Sequence, residues 1–518
     1  MKTIKYILLS FLIAGFVSCD DKLDTSSSVD QGKEVVFATV DNGFVALNGI
    51  YRSMYRRDGW SRYETENFGQ SSVNLAVEVM GEDMVQYASG SGWFWYDYMY
   101  RVRTEFNNTE DRPYVWWNMY YTWIANCNYI IANAVDAIGA EKDRNSLIGQ
   151  AYALRAYCYF YLAQFYQRTY IGHEDDPGVP VYTEPTTNQT EGAPRATLAA
   201  TYLRINKDLE EAIKLLGDAT AQRHISHIDY YVANGIKARV ALVQRDWEAA
   251  ETAAANALKK PGMQLMSATE LLSGLSSKDN AEWMWGVEVV ADQATTWFSF
   301  FGHMDASAGY HATTAQKCVS SWLYQMINVN DVRKSWFNGL FAIELDEAGN
   351  EILPLPNEVD YCQQKFRDNS TSLDGDILYM RAAEMYLILA EAKCQQNDFS
   401  GARQTLLDLI SYKFPDYDTI LSSRADSKDL TLKSTESTNV NTLMDEIILQ
   451  RRIELWGEGF RILDIMRLKT GFIRSYSGTN HTAILDIEDL ESWEWIMMIP
   501  QKEFDGNTQM DPNKDQNP

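Results

Sequence analysis

The sequence predicts a mostly α-helical fold with a large irregular portion, and three observations carry that expectation. Apolar residues recur at helical spacing over long stretches, several stretches come as pairs joined by short polar turns, and the intervals between them have no period but many aromatic rings. An apolar content of 46% over 518 residues is enough to build a substantial core.

In chain order, helical periodicity runs from Val35 to Tyr55, Trp116 to Ala137, Leu147 to Gln167, Leu198 to Leu216 and Thr442 to Arg467. Two further stretches read as helix pairs. From Tyr230 to Leu258, Ile236, Val240, Ala241 and Val243 lead into Arg245-Asp246-Trp247, followed by Ala249, Ala250, Ala253, Ala254 and Ala257. From Tyr379 to Ile410, Leu387, Ala390 and Ala392 precede Asn397-Asp398-Phe399, and Ala402, Leu406 and Leu409 follow. Small residues on facing stripes let two helices approach closely, and the matching turns suggest an internal repeat of the tetratricopeptide kind. The aperiodic intervals are Trp60 to Pro113, Trp283 to Tyr324 and Trp336 to Asp376. Loops of that length in a compact protein usually carry function, and their aromatic content argues against disorder.

The N-terminus reads as an export signal. Lys2 and Lys5 form the positive region, Tyr6 to Val17 the apolar one, and Ser18 precedes Cys19. Residues 1–18 are thus expected to be a lipoprotein signal peptide, Cys19 the lipidated residue and 19–33 a polar tether, with one domain from 34 to 518 carrying loop-rich insertions near 60–113 and 283–376. The net charge of −25 makes nucleic acid and anionic lipid poor partners. Cys127, Cys158, Cys318, Cys362 and Cys394 are an odd, scattered set with no CxxC pair, which argues against a disulfide framework or a zinc cluster.

From end to end, the order of local patterns resembles the SusD/RagB family of bacterial glycan-capture lipoproteins. The marks are Cys19 behind its signal, Trp117-Asn118-Met119-Tyr120, Ala153-Leu154-Arg155-Ala156, Gly178-Val179-Pro180, Pro194-Arg195-Ala196-Thr197 and the pair Asp331 and Arg333. Later come Arg381 to Leu387 with Ala390-Glu391-Ala392, then Arg451-Arg452-Ile453-Glu454-Leu455 with Glu458-Gly459, Arg461, Asp464 and Arg467, and finally Ile499-Pro500 and the terminal Gln516-Asn517-Pro518. Gln450 departs from the family, which usually has an acid there. The resemblance implies a SusD-like helical scaffold, attachment to the outer membrane through the N-terminal lipid and a SusC-like TonB-dependent transporter as partner. It also implies an oligosaccharide or polysaccharide ligand gripped by aromatics from the early loop and the mid-chain irregular region.

The marks themselves read as architecture. Leu449, Ile453, Trp456, Phe460 and Leu463 alternate spacings of four and three along one helical face, and Arg451, Glu454, Glu458 and Arg461 fall on a neighbouring face at ion-pair spacing. Trp116, Trp117, Trp123, Trp247 and Trp456 lie in helical patterns and are expected in the core.

A binder of neutral sugars gains free energy by laying rings on the apolar face of a pyranose, so loop aromatics are the signal to seek. Trp93, Trp95 and Tyr96 follow a glycine-rich lead-in, Ser89-Gly90-Ser91-Gly92; read as alternating chain, Trp93 and Trp95 would share one side. Trp297, Phe298 and Tyr310 form the second group, and Trp60 and Tyr63 a third option.

No GxSxG, HExxH, GxGxxG or P-loop pattern occurs, no catalytic residue or cofactor is expected, and His224 with His227 lacks a third ligand. Calcium is not predicted, although Asp346 to Glu351 and Asp374 with Asp376 are loop acids of a type that can hold it. Two other readings stand beside glycan capture: capture of a peptide or glycopeptide, and a glycoside hydrolase whose paired acids meet only in space.

Overall fold

The computed structural model describes residues 32, 35–56, 64–87, 93–100, 111–187, 189–218, 221–290, 298–307, 309–338, 344–345, 351–352, 359–368, 370 and 372–518. Cys19, the signal peptide, nearly all of the tether, Trp60, Tyr63, Ser89 to Gly92, Trp297 and residues 346–350 lie outside them.

The long helices are α1 (Val40–Ser53), α2 (Gln70–Met80), α3 (Asp111–Asn133), α4 (Glu141–Tyr166), α5 (Leu198–Leu216), α6 (Tyr230–Gln244), α7 (Trp247–Ala257), α8 (Ala382–Gln395), α9 (Phe399–Ile410), α10 (Leu443–Glu454) and α11 (Arg461–Leu468). From α3 to α9 each packs on the next, and α8 also packs on α10. This is the succession of a tetratricopeptide-like array. Trp116, Trp117, Trp123 and Trp456 are buried in it, and Trp247 packs partly buried against it.

The two expected pairs turn in the same way. Arg245 (φ 56°) and Asn397 (φ 66°) end α6 and α8 in the left-handed region. The next residue, Asp246 or Asp398, donates its N–H back to Ala241 O (3.0 Å) or Lys393 O (2.9 Å). The carboxylates of those aspartates then accept from Ala249 N (3.1 Å) and Gly401 N (2.9 Å), so one residue closes one helix and opens its partner.

Two sequence expectations are corrected. Residues 64–87 are not irregular, since they hold α2 and β1 (Met84–Tyr87), and α2 is buried on every side. Its polar groups find partners inside: Gln70 donates to Asn74 Oδ1 (2.8 Å) and accepts from Tyr120 Oη (2.9 Å), while Glu78 accepts from the N–H groups of Gly459 (2.8 Å) and Phe460 (2.7 Å). With no wet face there is no amphipathic stripe for the sequence to display. The Thr442 to Arg467 stretch is two helices, because Gly457 (φ 80°) and Gly459 (φ 94°) turn the chain between α10 and α11. A Cβ on Gly459 would lie 2.7 Å from Asn74 of α2, so glycine is required both for the turn and for the close approach.

Arg451, Glu454, Glu458 and Arg461 do not pair with one another: Arg451 binds Asp464 across the turn (2.7 Å) and Arg461 binds Glu82 of the early segment. Glu454 is fully buried and binds Arg333 (2.8 Å), Arg381 (2.8 Å) and Lys413 (2.8 Å), while Arg381 also reaches Glu282 (2.7 Å) and Glu458 (2.8 Å). Burial is the largest single effect and pushes the Glu454 carboxyl up, but the three cations together outweigh it and hold the group well below the usual range. Asp331 grips Arg333 (2.6 Å), which is what the short Asp-x-Arg pattern does. Gln450 accepts from the same guanidinium (2.5 Å), so its amide does the accepting that an acid would do. Asn517 ties the C-terminus to Tyr166 O (2.9 Å) at the end of α4.

The strands are few and short. Besides β1 they include β2 (Trp283–Val287), β3 (Gln316–Val319) and β4 (Ile377–Arg381), with β1 antiparallel to β3 and β2 antiparallel to β4. The β2–β4 pair joins the start of one long interval to the chain entering α8, so Trp283 to Val287 is also more regular than its sequence suggests.

Candidate glycan platform

The ladder between β1 and β3 builds the candidate site. Its register runs from Met84 opposite Val319 to Tyr87 opposite Gln316. The chain leaves β1 toward Trp93–Tyr100 and enters β3 from Phe298–Ala315, so antiparallel pairing delivers both aromatic groups to one end of the ribbon.

Trp93 and Tyr310 meet edge to face with centroids 6.1 Å apart, and the ring of His311 lies 4.8 Å from Trp93. The Phe298 ring lies 6.2 Å from that of His311. Tyr310 is 53% exposed and Tyr96 47%, so both offer ring faces to solvent. Trp297 falls outside the described residues.

Trp95 is a correction. It is 8% exposed and packs 5.7 Å from Tyr98, so it belongs to the core and not to the ligand surface. The physical reason is local: Trp93 (φ 62°) and Phe94 (φ 73°) are left-handed, and Trp95–Tyr98 follows as one helical turn. The strand-like alternation that would set Trp93 and Trp95 side by side is therefore absent. Phe94 and Trp95 turn inward, Trp93 is half-buried at the edge and Tyr96 points out.

That turn is fixed from beneath. Asp97 is buried against Arg112 (2.7 Å), with its carboxyl raised to about 6 by burial in spite of the guanidinium. Arg474 donates to Tyr98 O (2.6 Å) and its guanidinium stacks 4.5 Å from the Tyr98 ring. His481 donates through Nε2 to Glu82 O (3.0 Å), which leaves Nδ1 to accept from Tyr98 Oη (2.9 Å).

Below the exposed rings lies a histidine stack that sequence reading did not single out. His303 and His311 stack at 4.6 Å, and His303 donates from Nε2 to Thr65 O (2.7 Å). Both nitrogens of His311 are buried without a hydrogen-bond partner among the described residues. Burial and the nearby Lys317 ammonium depress His311 to about 4, and burial lowers Lys317 itself to about 7. These imidazoles are neutral near pH 7 and serve as flat spacers under Trp93. The adjacency of Tyr310 and His311 was the available signal, but only the ribbon register shows which ring supports and which is exposed.

Concave surfaces exist elsewhere, including a dish of about 420 Å³ lined in part by Tyr51, Arg52, Tyr55, Arg223 and His224. Its ionic groups are largely engaged, with Arg223 on Asp143 (2.7 Å) and His224 on Glu288 (2.9 Å). His224 and His227 do not converge on one point: His227 bonds Asn48 (2.8 Å) between the stacked rings of Phe44 and Tyr51. Among the described residues no group of three or more His, Cys, Asp or Glu is arranged to hold a metal. Asp376, one of the loop acids, accepts instead from the N–H groups of Lys278 (2.8 Å) and Val289 (2.9 Å). No described helix is long and apolar enough to cross a membrane.

Comparison with known proteins gives two family matches. Residues 46–242 match a SusD-like family described as starch-binding and associating with the outer membrane, and residues 304–518 match the SusD family. Among solved structures, a SusD-like carbohydrate binding protein from Bacteroides vulgatus is 26% identical with a TM-score of 0.73, over 92% of this chain and 98% of that one. A laminarin-binding SusD-like protein is 18% identical with a TM-score of 0.65, over 93% of this chain and 100% of the other. Surface glycan-binding protein A from Bacteroides thetaiotaomicron is likewise 18% identical with a TM-score of 0.65, over 93% and 99%. The last two likenesses concern the fold alone. No curated protein matches the chain.

Proposed function

We propose a function from one premise, that this chain belongs to the SusD family: it captures an oligosaccharide or polysaccharide at the cell surface and passes it intact to a transporter. The observation that carries this reading is the meeting of Trp93 and Tyr310 at an open edge, with Phe298 and the exposed Tyr96 on the same two segments. Flat rings on an open surface suit a polymer that extends past the site at both ends. Each pyranose laid on a ring removes apolar C–H surface from water, while its hydroxyls stay accessible to solvent and side chains. Net negative charge does not oppose a neutral glycan, and nothing in the ring platform calls for bond cleavage.

In this reading Cys19 carries the lipid that holds the protein at the outer membrane, and a SusC-like TonB-dependent barrel lies beside it. Holding the polymer next to the pore raises its effective concentration there. Deleting the barrel should abolish uptake and leave binding by the isolated protein intact; uptake that persisted would refute the partnership.

Calorimetry of the chain beginning after Cys19, against a panel of plant, host and microbial polysaccharides, tests the central claim. Saturable binding that releases no reducing ends and is lost in Trp93→Ala is the expected result. Release of shortened glycan would establish an enzyme, and binding confined to peptides would replace the ligand class.

A further inference from the structure

The strand that carries the platform holds an unrecognised pair of cysteines. Cys318 in β3 and Cys362 are antiparallel bridge partners. The backbone bonds on either side fix the type of pairing: Val319 donates to Tyr361 O (2.9 Å) and Gln363 donates to Lys317 O (3.0 Å). Bonds in those two places, and none between the bridged residues, define a non-hydrogen-bonded antiparallel pair, in which Cα atoms stand about 4.5 Å apart and side chains lie closest. That spacing lies at the short end of the range about 4.4–6.8 Å that a disulfide spans. Both side chains are 1% exposed and both are free thiols, with Cys362 Sγ turned to Gln363 O (3.8 Å).

We infer that Cys318 and Cys362 are a covalent modification site, which closes to an intrachain disulfide when the chain folds in an oxidising compartment. The oxidant is a protein or small-molecule disulfide of that compartment. One cysteine thiolate attacks the donor disulfide and expels a donor thiolate; the second attacks the resulting mixed disulfide and expels the other. Two electrons pass to the donor, the two protons end on its thiols, and one S–S bond has replaced another.

Burial holds the Cys318 thiol well above its usual range, so closure belongs to folding, while the strands are still wet, and the finished bond is shielded from reductant. The other thiols differ. Cys127 and Cys158 are buried on α3 and α4, Cys394 is on α8, and none is a strand partner of another cysteine. The crosslink would pin the middle strand of a three-strand arrangement, because Cys318 also faces Val85 of β1 across the platform ribbon. The stabilising effect is mainly on the unfolded chain, whose freedom the closed loop reduces.

The inference rests on the export reading, so the test reports both. The full chain is purified from the membranes of cells that export it, denatured in excess alkylating agent, digested and mapped by mass. The expected map links the Cys318 and Cys362 peptides, with Cys127, Cys158 and Cys394 alkylated, and the N-terminal peptide shows whether Cys19 carries lipid. A lipidated chain with Cys318 and Cys362 both alkylated, or linked elsewhere, overturns the inference. If the N-terminus is unprocessed, the same map after the chain is unfolded in urea and refolded with diamide decides: a Cys318–Cys362 link supports the site, and its absence overturns it. Reduction should also lower the melting temperature of the wild type by a few degrees, and should not do so in the double variant Cys318→Ala, Cys362→Ala.

Discussion

Around Glu454 the molecule concentrates charge where water is absent, and around Trp93 it exposes aromatic surface where water is plentiful. At the first place Arg333, Arg381 and Lys413 meet Glu454 in the interior, with Glu282 and Glu458 also on Arg381; at the second Trp93, Tyr310 and Tyr96 stand at an open edge. Buried charges are expensive unless every partner is present, so the first arrangement enforces one geometry on distant parts of the chain. Exposed rings cost little in the folded state and gain most when something covers them. The two regions should therefore fail in different ways when altered.

The largest effect should follow Glu454→Ala, which leaves three cations without their shared anion. We expect a loss of about 3–5 kcal/mol in urea denaturation, with unchanged glycan affinity in the fraction that folds. Trp95→Ala should cost a similar amount, about 3–5 kcal/mol, because it empties a core position. Trp93→Ala, two residues away, should do the reverse: affinity falls by about 2 kcal/mol, roughly thirtyfold by calorimetry, while stability changes by no more than about 1 kcal/mol. If Trp95→Ala lowered affinity while stability stayed intact, the division between core and platform would be misplaced. Tyr310→Ala should weaken binding by about 1 kcal/mol, roughly fivefold, with stability within about 0.5 kcal/mol.

The last prediction concerns acid. His311 titrates at about 4 in the fold and its unfolded counterpart near 6.5, so the unfolded chain takes up the proton first as pH falls. The stability that the neutral ring contributes is fully present above about 6.5 and is lost as pH falls toward 4, at no more than about 1.4 kcal/mol per pH unit. His311→Phe keeps the flat ring without the unpartnered nitrogens. Its melting temperature should match or exceed the wild type at pH 7 and fall less between pH 6.5 and 4.5; an equal fall would remove His311 as a source of the acid sensitivity.

What the sequence discloses follows the reach of the interactions. Asp246 and Asp398 close their turns within a few residues, so the paired helices were legible, as was Leu198–Leu216 behind its Thr197 cap. Arg333 and Glu454 are far apart in the chain, and periodicity carries no record of such a contact; the charged face of the expected late helix was real, but its partners were elsewhere. The helix α2 was hidden because it is wet on no side. At the platform, the aromatic segments were evident and their meeting was not, since the β1–β3 register is a property of two distant strands. Trp95 was misassigned because two left-handed residues precede it, and neither Trp93 nor Phe94 is a residue type that advertises such a backbone.

The β1–β3 ribbon is only four residues long on each side, yet both ring-bearing segments hang from the same end of it. Lengthening, shortening or exchanging those segments alters what the rings can embrace and leaves every helix of the array threaded as before. Under the proposed function the ribbon is in that sense a socket: one chassis would be refitted for a different polymer by replacing two adjoining inserts, provided the register from Met84–Val319 to Tyr87–Gln316 is kept.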